Sequence, residues 1–161
     1  MSRKLNKSNK KGFTLIEVVL VLAIGGLIFL LAFIAFRNAS ANRRDGQRRS
    51  DVSRMVAEVN NYIGDVGLTN TAPTIDNFKT IIIPKYLGNP FNGPTGDPYE
   101  YTSNTVSKPG NTAGKDAGIK YTPGPVAAGS NAACNGAALG ARDFKIQIGL
   151  EKGADACRDS L

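Results

Sequence analysis

The sequence predicts an α+β protein in which a long N-terminal helix packs on a small antiparallel sheet. Three observations favour this class. An almost uninterrupted apolar run covers residues 13–36. Apolar residues then recur at three- and four-residue spacing as far as residue 66, and the rest of the chain consists of short apolar segments between Gly- and Pro-containing turns. The first half of the helix is predicted to be transmembrane and the second half amphipathic.

Residues 13–36 are predicted to cross a membrane. Only Thr14 and Glu17 are polar within them. As a helix they would rise about 36 Å, which exceeds the roughly 30 Å of a bilayer core. The alternative is a secretory signal peptide, whose apolar region is about 7–15 residues long and ends in a small-residue cleavage site. This run is longer and continues into Arg37, so we expect the helix to remain in the mature protein. Residues 1–12 form a basic leader.

The amphipathic half of the helix is predicted over residues 37–66. Gly64 and Gly67 are its stop signals, and Asp45-Gly46 is a weak point inside it because glycine is a poor helix former. The apolar stripe that should face the sheet comprises Val52, Met55, Val56, Val59, Ile63 and Val66.

Residues 67–161 form the predicted globular head. A short capped helix is expected at 74–79, and strands are expected at 99–102, 119–122 and 144–150, of which the last alternates most clearly. Residues 103–118 and 123–131 are predicted to be loops.

The composition argues against several classes of function. The 161 residues include no His and only two Cys, so the commonest general base and a four-ligand zinc site are missing. We therefore expect no enzyme, no catalytic residue, no metal site and no cofactor. The chain from residue 50 onward is nearly neutral, with ten Lys/Arg against eleven Asp/Glu. The cations responsible for the net charge of +7 therefore lie on the two sides of the apolar run. Direct nucleic-acid binding is not expected.

The most informative segment is residues 10–19, KKGFTLIEVV. It resembles the class III signal of type IV prepilins and pseudopilins. The resemblance implies cleavage between Gly12 and Phe13 by a membrane prepilin peptidase and N-methylation of Phe13. Glu17 corresponds to the family's characteristic acid, and a buried acid needs a partner such as the Phe13 amine of a neighbouring subunit. The alternative is that Glu17 stays near the headgroups and favours the helix N-terminus.

The same resemblance implies partners and a location. The partners would be other pilin subunits in a homopolymer filament, the prepilin peptidase, the pilus assembly machinery and the membrane. The precursor would be a single-pass, N-in protein of the inner membrane, and the mature chain would enter an extracellular pilus or a periplasmic pseudopilus. Five cations lie on each side of the apolar run, so the orientation rests on the resemblance rather than on the positive-inside rule.

Three functions remain open at this point. The first is a pilus subunit for adhesion, twitching motility or DNA uptake. The second is a major pseudopilin of a type II secretion system, because Asp97-Pro98-Tyr99 with Tyr101 resembles a segment that enters the sheet of those proteins. The alternative for this segment is a turn followed by an aromatic edge strand. The third is a solitary membrane-anchored binding protein.

The C-terminal region carries the last candidate residues. Cys134 and Cys157 could stay reduced, pair between subunits or close a loop, and resemblance to pilins with a C-terminal disulfide loop favours the loop. Some pseudopilins bind calcium near the C-terminus, which makes Glu151, Asp155 and Asp159 candidate ligands. Because these acids form no compact loop, a solvated surface is expected instead.

Overall fold

The computed structural model describes residues 12–68, 71–129 and 133–160. The chain divides into two compact units, Met1–Ala39 and Ser40–Leu161, and the first helix contributes residues to both. The predicted leader, residues 1–12, lies outside the described residues except for Gly12. The helical elements are α1 (Leu15–Val66), α2 (Ile75–Asn77) and a π-helix (Phe78–Leu87) that directly succeeds α2; the strands are β1 (Glu100–Thr102), β2 (Gly118–Pro123), β3 (Phe144–Ile148) and β4 (Ala156–Asp159).

The first unit consists, in its described part, of three residues and the apolar start of α1. All of its described side chains are exposed, including large apolar ones such as Leu15 (82% exposed) and Phe29 (74%). Among the described residues, α1 is the helix that is long and apolar enough to cross a membrane. Burial of so much apolar surface in lipid or in other protein would be strongly favourable.

In the second unit, one face of α1 is buried. The predicted residues Val52, Met55, Val59 and Ile63 lie in the core. The prediction for Val66 is wrong, because it occupies the last position of the helix and is 54% exposed, and Tyr62 is buried instead. The helix continues through Asp45-Gly46 and ends where predicted. Gly67 has a positive φ, and the Leu68 N–H donates to the Ile63 carbonyl at 3.1 Å, the pattern of a glycine-terminated helix.

The segment after α1 begins with the predicted cap and continues in an unexpected form. The Thr74 hydroxyl accepts a hydrogen bond from the Asn77 N–H at 3.2 Å and starts α2. The chain then forms a ten-residue π-helix that includes Pro84. Its buried residues, Phe78, Ile82, Ile83 and Leu87, join the core. No sequence pattern indicated a π-helix here.

The sheet is four-stranded with the order β1-β2-β3-β4. The three predicted strands are present, with ends displaced by one or two residues, and β4 was not predicted. The β2–β3 and β3–β4 pairs are antiparallel and the β1–β2 pair is parallel, so the sheet is mixed but mainly antiparallel, in keeping with the predicted class. Parallel pairing requires a long crossover connection, and the predicted loop after β1 supplies it.

The core of the second unit lies between α1, the π-helix and one face of the sheet. That face consists of residues that alternate along the central strands: Ile119, Tyr121, Phe144, Ile146 and Ile148. Phe78 stacks on Tyr121 at 4.6 Å between ring centroids, and the Tyr121 hydroxyl donates to the Pro73 carbonyl. The aromatic stack therefore holds the π-helix to the sheet, and the buried hydrogen bond holds the segment that precedes α2.

Candidate functional site

The residues that the sequence singles out near the N-terminus lie at the start of α1. Gly12, Phe13 and Thr14 precede the helix, and Phe13 is 89% exposed. The Thr14 N–H and the Thr14 hydroxyl both donate to Glu17 Oε2 at 2.8 Å, and the Glu17 N–H lies 3.4 Å from Thr14 Oγ1. This reciprocal arrangement is a capping box, which satisfies N–H groups that the first helical turn leaves free.

The capping box explains why the helix begins at Leu15 and not at Phe13. It also shows how Glu17 is held: its Oε2 atom binds Thr14 of the same chain, whereas no hydrogen bond to Oε1 occurs within the described part of the chain. Glu17 therefore stabilises the N-terminus of the helix, which is the alternative role considered for it above. One carboxylate oxygen remains accessible for a further partner.

Around Glu17 the surface is apolar. Glu17 lines an open depression of about 300 Å³ together with Phe13, Val18, Val21 and Leu22. A carboxylate in such a position is stable in water, but it becomes costly once lipid or protein covers the surface. Whatever covers this surface must therefore supply a donor or a cation for the free oxygen.

Comparison with protein families identifies this segment. Residues 7–33 match the family model described as the prokaryotic N-terminal methylation motif. The chain carries a class III prepilin signal. The match includes Gly12, Phe13 and Glu17, and it ends within the apolar half of α1. Together with the signal, the long apolar helix and small mixed sheet form a pilin-like α+β arrangement. No curated protein and no solved structure matches the chain.

A second group of interacting residues fixes α1 to the head, and no sequence pattern predicted it. Arg48 is completely buried. Its Nε donates to Asp116 Oδ1 at 2.6 Å, and its Nη1 donates to Asp45 Oδ1 and Glu151 Oε1, both at 2.9 Å. Arg44 adds a bidentate pair with Glu151 at 2.6 and 2.7 Å. These charged hydrogen bonds join α1 to the segments before β2 and after β3.

The acids of this network are themselves well satisfied. Asp45 also accepts the N–H groups of Glu151 and Lys152 at 2.9 Å, and Asp116 accepts both the N–H and the hydroxyl of Thr95. The hydrogen bond from Arg44 lowers the pKa of Glu151 to about 2, although partial burial opposes the shift. Such pairing is what makes buried charges tolerable.

Two expectations are corrected by this network. Arg44 and Arg48 belong by sequence to the cations that flank the membrane segment, but they are ion-paired in the head and Arg48 has no exposed surface. Glu151, expected on a solvated surface, is partly buried and bound to both arginines. Asp159 accepts a hydrogen bond from the Cys134 N–H at 2.8 Å, so it too has a structural role.

The Asp97-Pro98-Tyr99 segment leads into β1. Tyr99 is buried, and its hydroxyl donates to Asp51 Oδ2 on α1 at 2.6 Å. Burial raises the pKa of Asp51, and the hydrogen bond from Tyr99 only partly opposes this effect. The segment thus makes a further polar contact between α1 and the sheet.

The cysteines form the disulfide that the pilin resemblance favours. Cys134 and Cys157 are bonded within the chain, with 5.8 Å between their Cα atoms. Cys157 lies in β4, so the bond ties this edge strand to the loop that precedes β3. Closing a loop of this length is worth roughly 3 kcal/mol by the chain-entropy estimate.

Proposed function

We propose that this protein is a structural subunit of a type IV pilus-like filament, with a role in adhesion, twitching motility or DNA uptake. The precursor is cleaved between Gly12 and Phe13 by a prepilin peptidase, which also methylates Phe13. The mature chain leaves the inner membrane and joins other copies in a homopolymer. The observation that carries the proposal is the methylation motif at residues 7–33 together with the exposed apolar helix that continues from it.

The apolar surroundings and the available carboxylate oxygen of Glu17 support a role in assembly. In a filament, the apolar halves of neighbouring helices would exclude both water and lipid, and an uncompensated carboxylate would then be costly. Cleavage would create an amine on Phe13, near a carboxylate that has one oxygen without a hydrogen bond in the described structure. The Phe13 amine of an adjoining subunit is the cation that we expect to bind there.

The second candidate is a major pseudopilin of a type II secretion system. The feature that favours it is the Asp97-Pro98-Tyr99 segment, whose tyrosine is buried and bound to Asp51. The same geometry also suits any head that must be fixed to its helix, so the segment does not decide between the candidates. A pilus would extend beyond the cell surface, whereas a pseudopilus would remain within the envelope.

Processing is tested by intact-mass analysis of the protein recovered from cells that make the full chain. The expected mature chain begins with N-methylated Phe13, and the loss of five leader cations takes the formal side-chain charge from +7 to +2. A mature chain that begins at Met1, or after residue 36, would refute the proposal. A Gly12→Leu variant is the control, because a large side chain at the cleavage site should block processing.

Assembly is tested by electron microscopy of the same cells, with gold label directed against the head. Labelled filaments on the surface support the pilus role. Label that remains in the envelope, together with loss of protein secretion when the gene is deleted, would favour the pseudopilin. Dispersed label with normal secretion would instead indicate the solitary membrane-anchored protein.

A further inference from the structure

A cleft in the head carries two arginines that the proposed function does not use. It has a volume of about 310 Å³ and lies beside β4, the outer strand of the sheet. Its lining comprises Arg49, Val52, Asp155, Ala156, Cys157 and Arg158. Arg49 comes from α1 and Arg158 from β4, so two different elements each contribute one arginine to the cleft.

The charges of this cleft are not satisfied inside the chain. Within residues 12–68, 71–129 and 133–160, no hydrogen bond or ion pair involves the side chain of Arg49, Arg158 or Asp155. In contrast, Arg44 and Arg48, on the same helix, are both ion-paired. The two arginines and one aspartate give the cleft a formal charge of +1, which a single carboxylate would neutralise.

The lining favours a carboxylate on a short aliphatic stem. Ala156 is half-buried, so it leaves some apolar surface beside the two arginines. Guanidinium groups bind carboxylates through paired, charge-assisted hydrogen bonds. An aspartate or glutamate side chain presented by another protein surface has the required chemistry.

The chain itself offers such a side chain. Asp76 lies on α2, where it is exposed, and no hydrogen bond or ion pair of its carboxylate occurs in the described part of the chain. α2 contacts β2, whereas the cleft is at β4, two strands away in the sheet. Asp76 and the cleft therefore lie at different places on the head.

We propose that the Arg49–Arg158 cleft of one copy binds Asp76 of the next copy. A contact between two different surfaces is heterologous, and repeated heterologous contacts produce an open filament unless they close into a ring. The inference rests on the proposed filament and adds to it a specific head-to-head contact. Packing of the apolar helices would supply most of the binding free energy, and this ion pair would set the orientation of neighbouring heads.

The experiment compares matched variants of the full chain in cells. The cleft variant carries Arg49→Glu and Arg158→Glu. The control carries Arg43→Glu and Arg142→Glu, which changes the net charge equally at exposed positions outside the cleft. Arg43 lies six residues before Arg49, about 120° away around the helix. Filaments are counted by electron microscopy, processing is followed by intact mass, and folding is followed by the absence of free thiols.

We expect the cleft variant to be processed and oxidised normally but to lose filaments, whereas the control keeps the wild-type number. Asp76→Arg alone should also lose filaments. Adding Asp76→Arg to the cleft variant should restore them, because the charges are then exchanged.

Normal filaments in the cleft variant would overturn the inference and leave the filament proposal intact. A charge-exchanged variant without filaments would also overturn it. Absence of filaments and of processing in the wild-type chain would refute the proposed function and this inference with it.

Discussion

Replacing Arg48 with Met should destabilise the head more than a change at any exposed charged position of α1. Arg48 has no exposed surface and makes charged hydrogen bonds to Asp45, Asp116 and Glu151. Met keeps the apolar stem but removes the positive charge, which leaves three carboxylates close together. Breaking a buried ion pair by removing one partner costs about 3–5 kcal/mol.

The size of the effect can be converted into a melting temperature. The second unit spans Ser40–Leu161, and for domains near this size 1 kcal/mol shifts Tm by roughly 4 °C. We therefore expect Arg48→Met to lower Tm by roughly 10–20 °C, from the 3–5 kcal/mol cost of a broken buried pair.

The measurement is thermal unfolding of the full chain in detergent, followed by near-ultraviolet circular dichroism, which reports the packing of the buried tyrosines. Arg43→Met is the matched control, because Arg43 is exposed on the same helix and should change stability by less than about 0.5 kcal/mol. If the two variants melt within a few degrees of each other, Arg48 does not hold the head as the contacts indicate.

Three further predictions concern acid, reduction and assembly. The pKa of Glu151 is lowered from 4.5 to about 2, so the stability that ionised Glu151 contributes is present above pH 4.5 and is lost as the pH falls towards 2. Glu151→Gln should therefore flatten the curve of stability against pH between these values. An unchanged curve would contradict this prediction. Reducing Cys134–Cys157 should lower stability by roughly 3 kcal/mol, measured by urea unfolding with and without reductant. Glu17→Gln should keep the capping box yet abolish filaments, whereas Glu17→Ala should also remove the side-chain half of the capping box. Normal filaments in both variants would leave Glu17 without an assembly role.

The sequence predicts well those parts of the fold that depend on local pattern. The C-terminal end of α1, the Thr74 cap and the three apolar strands are explained by spacing, by glycine and by side-chain hydrogen bonding to the backbone. Strand β4 could not be predicted in this way, because Ala156–Asp159 carries no alternating apolar pattern. It is held at the edge of the sheet by the disulfide and by pairing with β3, which are contacts distant in sequence.

The ionic network shows why charged residues in the core are hard to predict. Arg48 occurs in a basic run beside the apolar segment, which suggests a membrane flank. Its position nevertheless lies four residues before Val52 and seven before Met55, on the stripe that faces the core. That periodicity is the available signal for Arg48. The sequence gives no comparable indication that Asp116 and Glu151 are its partners. Their position depends on how the segments after β1 and β3 return to the helix.

At the amino end, the hydrogen bonds of the described residues that start the helix lie between Thr14 and Val18. Each of these bonds joins residues on the same side of the Gly12-Phe13 bond. Removal of the leader would therefore leave these particular hydrogen bonds in place. Cleavage at that bond would change the charge at the amino end while these bonds persist, which would suit the proposed use of one helix first as a membrane anchor and then as a filament building block.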